Sequence, residues 1–438
     1  MSERHNHVDK GEKRMVQGNI LKQLNAEDKD TRLAALLSVM AGIRVGEIDP
    51  PEKTRFVNNH IHTIYSFSPY SPTKAVYMAW QSGLATAGIM DHDSLSGAKE
   101  FIEAARIVDL PVTVGMECRA FMQNTELCGR RINNPDQKSI AYVAIHGIPH
   151  QNIETLNIFF RYYRIKRNDR NRKMCARITE LTAPYGITLN FENDVLPLSM
   201  AHEGGSVTER HILYALTKKI TARCKTPEEV LRFLISEMGI DVSEKVRGQI
   251  LAAVPEYYEY DILGALKSNL VEKFYVDAYA ECPDIYELEK VVNDAGAILA
   301  YAYLGDVGDS VTGDKKTQKF EDDYLDSLFR EIARIGFNAV TYMPSRNTES
   351  QLRRIMNLCE KYKLFQISGE DINSPRQSFH CQAMQKDMFR HLADAAYALI
   401  GHEKCATENA ENSMFSHEIR HRMPTLDERI EYFASKVR

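Results

Sequence analysis

The sequence predicts an α/β fold in which seven short strands alternate with helices, a number that suits closure into a barrel. A large helical insertion and helical extensions at both ends complete the expected architecture. Three observations predict it. From Phe56 onward, short apolar runs bounded by Gly and polar residues alternate with amphipathic stretches, the pattern of a parallel sheet with crossover helices. The interval 151–295 breaks that alternation: it is charged and helix-rich, with almost no strand signal. Finally, most strand candidates end in a histidine or a carboxylate.

In chain order, residues 1–50 read as a helical appendage. Met15 to Leu24 and Thr31 to Val45 carry apolar residues at helical spacing, and Asp49-Pro50-Pro51 stops them. Strands are expected at 56–61, 87–91, 112–117, 140–146, 297–303, 338–342 and 364–368, and helices at 72–83, 95–108, 321–335 and 348–362. The barrel therefore takes residues 51–150 and 296–384. Residues 151–295 form the insertion, a candidate lid, and 385–438 a helical tail.

Composition narrows the functional classes. The 438 residues can bury a large core. With 55 basic and 60 acidic residues the net charge is −5, which argues against broad binding of nucleic acid or anionic membrane. No apolar run approaches the roughly 18 residues of a membrane helix, and Met1 to Arg14 contains no apolar signal core. Eight cysteines are scattered without a Cys-x-x-Cys pair, which suits reduced thiols and a cytoplasmic location. The oligomeric state is not legible.

Chemistry concentrates at the strand ends, where a parallel barrel gathers functional side chains. His60 and His62 end the first strand and face the same way, because strand side chains alternate. Such a pair alone is also what a solvated strand end looks like. Asp91-His92-Asp93 ends the second strand, Glu117 the third and His146 the fourth, while Glu370-Asp371 follows the last. Asp93 or Ser94 suits the N-cap of the next helix. Imidazoles and several carboxylates on one barrel face imply a divalent ion such as zinc, manganese or iron.

The run His60-Ile-His62-Thr63, Tyr65-Ser66, Gly88-Ile-Met-Asp91-His92-Asp93-Ser94-Leu95-Ser96-Gly97, Gly115-Met-Glu117, Ile145-His146 and Gly369-Glu-Asp371 resembles the polymerase and histidinol phosphatase (PHP) family. The resemblance covers roughly residues 55–150 strongly and 295–375 more loosely. It implies a distorted (βα)7 barrel holding one to three divalent ions. It also implies hydrolysis of phosphoesters, on small phosphometabolites or nucleotides, or exonuclease action on nucleic acid. By that resemblance His60, His62, Glu117 and Asp371 make the first metal site. His146 belongs to a second ion and His92 to a third.

Four positions depart from the family pattern. Asn58 stands for an Asp, Phe67 for an Asp or His, Tyr301 or Tyr303 for a histidine ligand, and Asn373 for a final His. One complete site and a second, weakened one are the expectation, with Asp306 available to compensate.

The implied reaction is attack by metal-activated water, with His92 or Asp91 moving the proton or orienting a ligand. Arg130, Arg131, Arg210, Arg346 and Arg376 are candidate phosphate clamps, since guanidinium binds phosphate bidentately. The expected substrate is a small phosphorylated molecule. Single-stranded nucleic-acid ends, or ligand binding without turnover, are the alternatives. Gly308 to Lys315 has P-loop glycine spacing but lacks the Gly-Lys-Ser/Thr ending, so it reads as a loop whose lysines could meet an anion. Tyr257, Tyr258 and Tyr260 read as packing of the lid rather than a base-stacking platform.

Overall fold

The computed structural model describes residues 18, 20–306 and 319–438. Seven strands form one sheet in sequence order: β1 (Val57–Ile61), β2 (Thr86–His92), β3 (Val112–Phe121), β4 (Ile140–His146), β5 (Ile298–Ala302), β6 (Ala339–Tyr342) and β7 (Phe365–Ser368). The pairs β1–β2, β2–β3, β5–β6 and β6–β7 are parallel. The strand at 140–146 departs from the expected all-parallel sheet, because β4 runs antiparallel to both β3 and β5. The physical reason is the connection: β3 runs on to Phe121 and returns to Ile140 through an irregular loop rather than a crossover helix.

The sheet closes on itself through Ile61 and Ile372. His62 N–H donates to Ile372 O at 2.9 Å, and Ile372 N–H donates to His60 O at 3.0 Å. Asn58 completes the seam. Its amide donates to Glu370 O at 3.1 Å, and its Oδ1 accepts the His60 N–H at 3.0 Å. A carboxylate could not make the donation, so the asparagine is accounted for by closure of the barrel. Gly369 lies against the same seam, where an added Cβ would fall 2.7 Å from the His60 Cβ.

Outside the sheet pack α1 (Lys29–Arg44), α2 (Pro72–Gln81) and α3 (Ala98–Val108). Their apolar faces join the outer faces of the strands in the largest apolar cluster. Arg32 of α1 is buried and bonds both carboxylate oxygens of Glu100 on α3.

Between β4 and β5 run α4 (Ile153–Thr182), α5 (Glu209–Arg223), α6 (Pro227–Arg232), α7 (Glu244–Ala252), α8 (Tyr258–Phe274) and α9 (Ile285–Asp294). Met174, Ile178, Leu213, Leu216, Leu266 and Phe274 are among the buried residues that give this region an apolar core of its own. Phe67, from the loop after β1, is the barrel's contribution to that core. Its ring meets His211, Tyr214 and Tyr260 at 5.0, 5.8 and 5.9 Å. The aromatic residue therefore fastens the barrel mouth to the insertion. Tyr260 packs in the same cluster, as the lid-packing reading expects.

After β5 come α10 (Leu325–Ile335) and α11 (Glu349–Tyr362), then α12 (Arg390–Glu408), α13 (His417–Arg422) and α14 (Leu426–Ala434). Ala395, Ala398 and Leu399 of α12 share an apolar cluster with Met90, Ala144, Ile298, Ala300 and Ile367. Glu403 docks this helix: it accepts from Thr113 Oγ1 and Val114 N–H at 2.7 Å each and meets His150 Nε2 at 2.8 Å. Among the described residues no helix is long and apolar enough to cross a membrane. All eight cysteines are free thiols.

Candidate metal centre

The parallel register sets His92 opposite Glu117, and the bridge at Ile61 brings Asp371 up beside His62. The result is a carboxylate ringed by imidazoles. Glu117 Oε2 lies 3.4 Å from His60 Nε2, 3.8 Å from His62 Nε2 and 3.3 Å from His92 Nδ1. Asp371 Oδ1 lies 3.2 Å from His62 Nε2. Ligand atoms of His60, His62 and Glu117 fall within 4.8 Å of one another, and no other such group of three occurs among the described residues. Nε2 of both His60 and His62 is buried without a hydrogen-bond partner. Buried nitrogen acceptors facing carboxylates require a cation between them, either a proton or a metal. The donor set, two imidazoles and a carboxylate with a third ring and a second carboxylate beside them, suits zinc, manganese or iron.

Electrostatics agree with that balance. Burial opposes protonation of His60, but the neighbouring Glu117 carboxylate and the Asp371 charge carry its pKa above the usual value. Burial likewise opposes ionisation of Asp371, yet the adjacent His62 ring and the His60 and Arg210 charges hold it well below the usual carboxylate range. The Asp371 side chain is 40% exposed and that of His92 is 26% exposed. These two members therefore open toward the cleft, while His62 is 1% exposed and lies beneath.

The cleft is lined by His62, Phe67, His92, Thr208, Glu209, Arg210 and Asn373 and is narrow, with a volume of about 20 Å³. Three of these residues come from the start of α5. Arg210 Nη1 donates to Asn373 Oδ1 at 2.5 Å, and Asn373 Nδ2 donates to Asp371 Oδ1 at 2.6 Å. A line of bonds thus runs from the insertion to the carboxylate cluster. Burial pushes Glu209 up, but Arg167, Arg119 and Arg170 more than offset it and take the carboxyl down to about 2. Those arginines belong to a buried ionic group joining barrel to insertion. Arg167 meets Asp93 at 2.9 Å and Glu281 at 3.3 Å, Arg170 meets Glu281 at 2.5 Å, and Arg119 pairs with Glu281. Glu209 and Thr208 carried no motif signal, since only the packing of α5 brings them to the barrel mouth.

Several sequence expectations are corrected here. His146 does not join the group, because β4 runs the other way. Ala144 is the register partner of Glu117, and His146 lies two residues further along, opposite Ile298 at the start of β5. It is a buried ring with neither nitrogen hydrogen-bonded, taken down to about 3 by burial and by His60. Asp91 does not face the cleft. It is 1% exposed, and Thr63 and Ser66 occupy its oxygens at 2.6 Å. Tyr301 pairs with Val143 and Val340 and packs in the outer apolar layer, on the strand face opposite Ala144. It therefore cannot stand in for a ligand inside the barrel. Asp306 accepts the Phe320 amide and is outside the group. Asp93 pairs with Arg167 instead of capping, and Gly97 precedes α3 without a side-chain cap.

Of the five arginines, only Arg210 lines the cleft. Arg376 holds Asp261 through two bonds of 2.6 and 2.8 Å. Arg130 lies over the Tyr324 ring at 4.9 Å, the Arg131 carbonyl accepts from Tyr324, and Arg346 Nε donates to Leu304 O at 3.2 Å. The glycine-spaced loop with Lys315 falls outside the described residues.

No family model matches the chain, and no curated protein does. Among solved structures the chain is similar to a candidate metal-dependent phosphoesterase from Bifidobacterium adolescentis, at 18% identity and TM-score 0.49, covering 80% of this chain and 98% of that one. It is also similar to an amidohydrolase from Chromobacterium violaceum with bound SO4 and no metal, at 15% identity and TM-score 0.49, covering 77% and 96%.

Proposed function

We propose that this barrel is a metal-dependent hydrolase of the PHP type that cleaves a phosphoester of a small phosphorylated metabolite or nucleotide. The observation that carries the reading is the convergence of His60, His62 and Glu117, with Asp371 and His92 beside them, next to a cleft that contains Arg210. His60, His62, Glu117 and Asp371 would hold a divalent ion, with His92 at its edge. Such an ion supplies Lewis acidity and lowers the pKa of water from about 15.7 to about 7.

The chain's own groups have the following parts. Arg210, braced by Asn373, binds the phosphoryl oxygens through its guanidinium. His92, the most exposed of the three rings, moves the proton. Phe67 and the start of α5 cover the cleft and limit water. The net charge of −5 favours a small substrate over a nucleic-acid strand.

The test is metal analysis followed by assays on an aryl phosphate, a panel of phosphometabolites and a set of oligonucleotides, with Zn²⁺, Mn²⁺ or Fe²⁺ added back. Metal-dependent release of phosphate from a small substrate is expected. Less than one ion per chain, together with no activity after add-back, overturns the reading.

A further inference from the structure

The loop after β1 contains a hydrogen-bond chain that reaches the far side of the His62 ring. Asp91 Oδ1 accepts the Thr63 backbone N–H at 2.6 Å, and the same oxygen lies 2.6 Å from Ser66 Oγ. Oδ2 lies 2.6 Å from Thr63 Oγ1. Ser66 Oγ in turn lies 3.1 Å from His62 Nδ1. Ser66 is fully buried, and Asp91 and His62 are each 1% exposed, so the chain of bonds is shielded from water.

A serine hydroxyl has one hydrogen. Oδ1 of Asp91 is an acceptor, as its bond to the Thr63 amide shows, so the Ser66 hydrogen points at Asp91. Toward His62 the hydroxyl can then only accept, and Nδ1 must carry a hydrogen. The remaining lone pair of the ring is on Nε2, the atom that faces Glu117 and Asp371.

We propose that Asp91 and Ser66 are positioning residues that hold His62 in its Nδ1–H form, so that Nε2 is presented to the ion. The inference rests on the metal-site reading above but names a different part of the chain and a different observable. It assigns Asp91 a task without contact to substrate. It also gives a reason for a serine at position 66, because alanine would leave the ring free to turn its lone pair away. Outer bonds of this kind typically change metal affinity 10–100-fold.

The experiment uses the full chain with ¹⁵N-labelled histidine, stripped of metal and held near pH 9. The His62 signals, assigned by loss in His62→Gln, should show a protonated Nδ1. In Ser66→Ala the ring should shift toward the Nε2–H form. Co²⁺ affinity, read from the visible absorption of the bound ion, should fall about 10–100-fold. Asp91→Asn keeps an oxygen for the Ser66 hydrogen, so it should retain the Nδ1–H form with a smaller loss of affinity.

A His62 ring whose Nδ1 carries no hydrogen in the unmodified protein overturns the proposal, and so does unchanged Co²⁺ affinity in a folded Ser66→Ala. Should the protein hydrolyse no phosphoester, the proposed function fails while the ring measurement still stands or falls by itself.

Discussion

Arg376, in the loop beyond β7, grips Asp261 of α8 with two bonds of 2.6 and 2.8 Å, and its guanidinium lies 4.3 Å over the Tyr257 ring. The Asp261 side chain is 4% exposed, so it depends on this partner. Replacing Arg376 with Ala removes both bonds from a buried carboxylate, at a cost of about 1–3 kcal/mol. The expected result is a lower melting temperature and faster proteolysis within the insertion. Turnover should change less than in variants of the cleft. A melting temperature and digestion pattern equal to the parent's would show that the pair does not hold the insertion.

Glu117 is the hub of the cluster, within 3.3–3.8 Å of three imidazoles. Glu117→Gln keeps the shape but removes the charge that offsets a cation. Metal content should fall below one ion per chain, and turnover by at least about 100-fold. Chelation should lower the melting temperature of the parent, because an ion at 100 times its Kd stabilises the fold by ~2.7 kcal/mol. In Glu117→Gln that sensitivity should be gone. Turnover equal to the parent's in this variant would remove Glu117 from the mechanism.

Arg210 is the cation of the cleft, and Asn373 fixes its direction at 2.5 Å. Arg210→Ala should lower kcat/KM by about 100-fold and weaken inhibition by inorganic phosphate in parallel. Arg210→Lys restores charge without the planar fork, so it should recover only part of the loss. If the alanine variant binds phosphate as the parent does, the anion contact lies elsewhere.

The strands and the paired histidines could be read from the sequence because they rest on local signals. Short apolar runs mark strands wherever the chain passes through a buried sheet, and His-x-His fixes two rings on one face. What stayed hidden depends on long-range facts. The direction of β4 follows from the loop between Phe121 and Ile140, and it alone removes His146 from the strand ends that form the cleft. Tyr301 looked like a lost ligand until register placed it on the outer face. Phe67 and Asn58 looked like losses too, yet one packs the insertion and the other closes the barrel. No motif singles out Glu209, although its neighbour Arg210 is a clamp candidate. Only the fold of α5 over the mouth brings it near His92.

Glu321 gives the fold a dependence on pH that can be isolated by one substitution. Its carboxylate is fully buried and accepts the Leu304 and Gly305 amides at 2.9 and 3.1 Å. Burial pushes its pKa up to about 7; the two amide bonds oppose this, and the Asp322 and Asp306 charges add to it. The folded state therefore binds the proton more tightly than the unfolded chain, whose glutamate titrates near the ordinary value of about 4.3. Stability from this group is present below that value and is lost as pH rises through about 7. Glu321→Gln keeps an oxygen for the two amides and removes the titration. Relative to the parent, the variant should gain stability between about pH 4.5 and 7, on the order of 3 kcal/mol in all. Above that window the difference should be constant. Urea unfolding of both proteins at pH 5, 6, 7 and 8 measures it, and parallel curves across the range would show that Glu321 is already ionised in the folded state at pH 5.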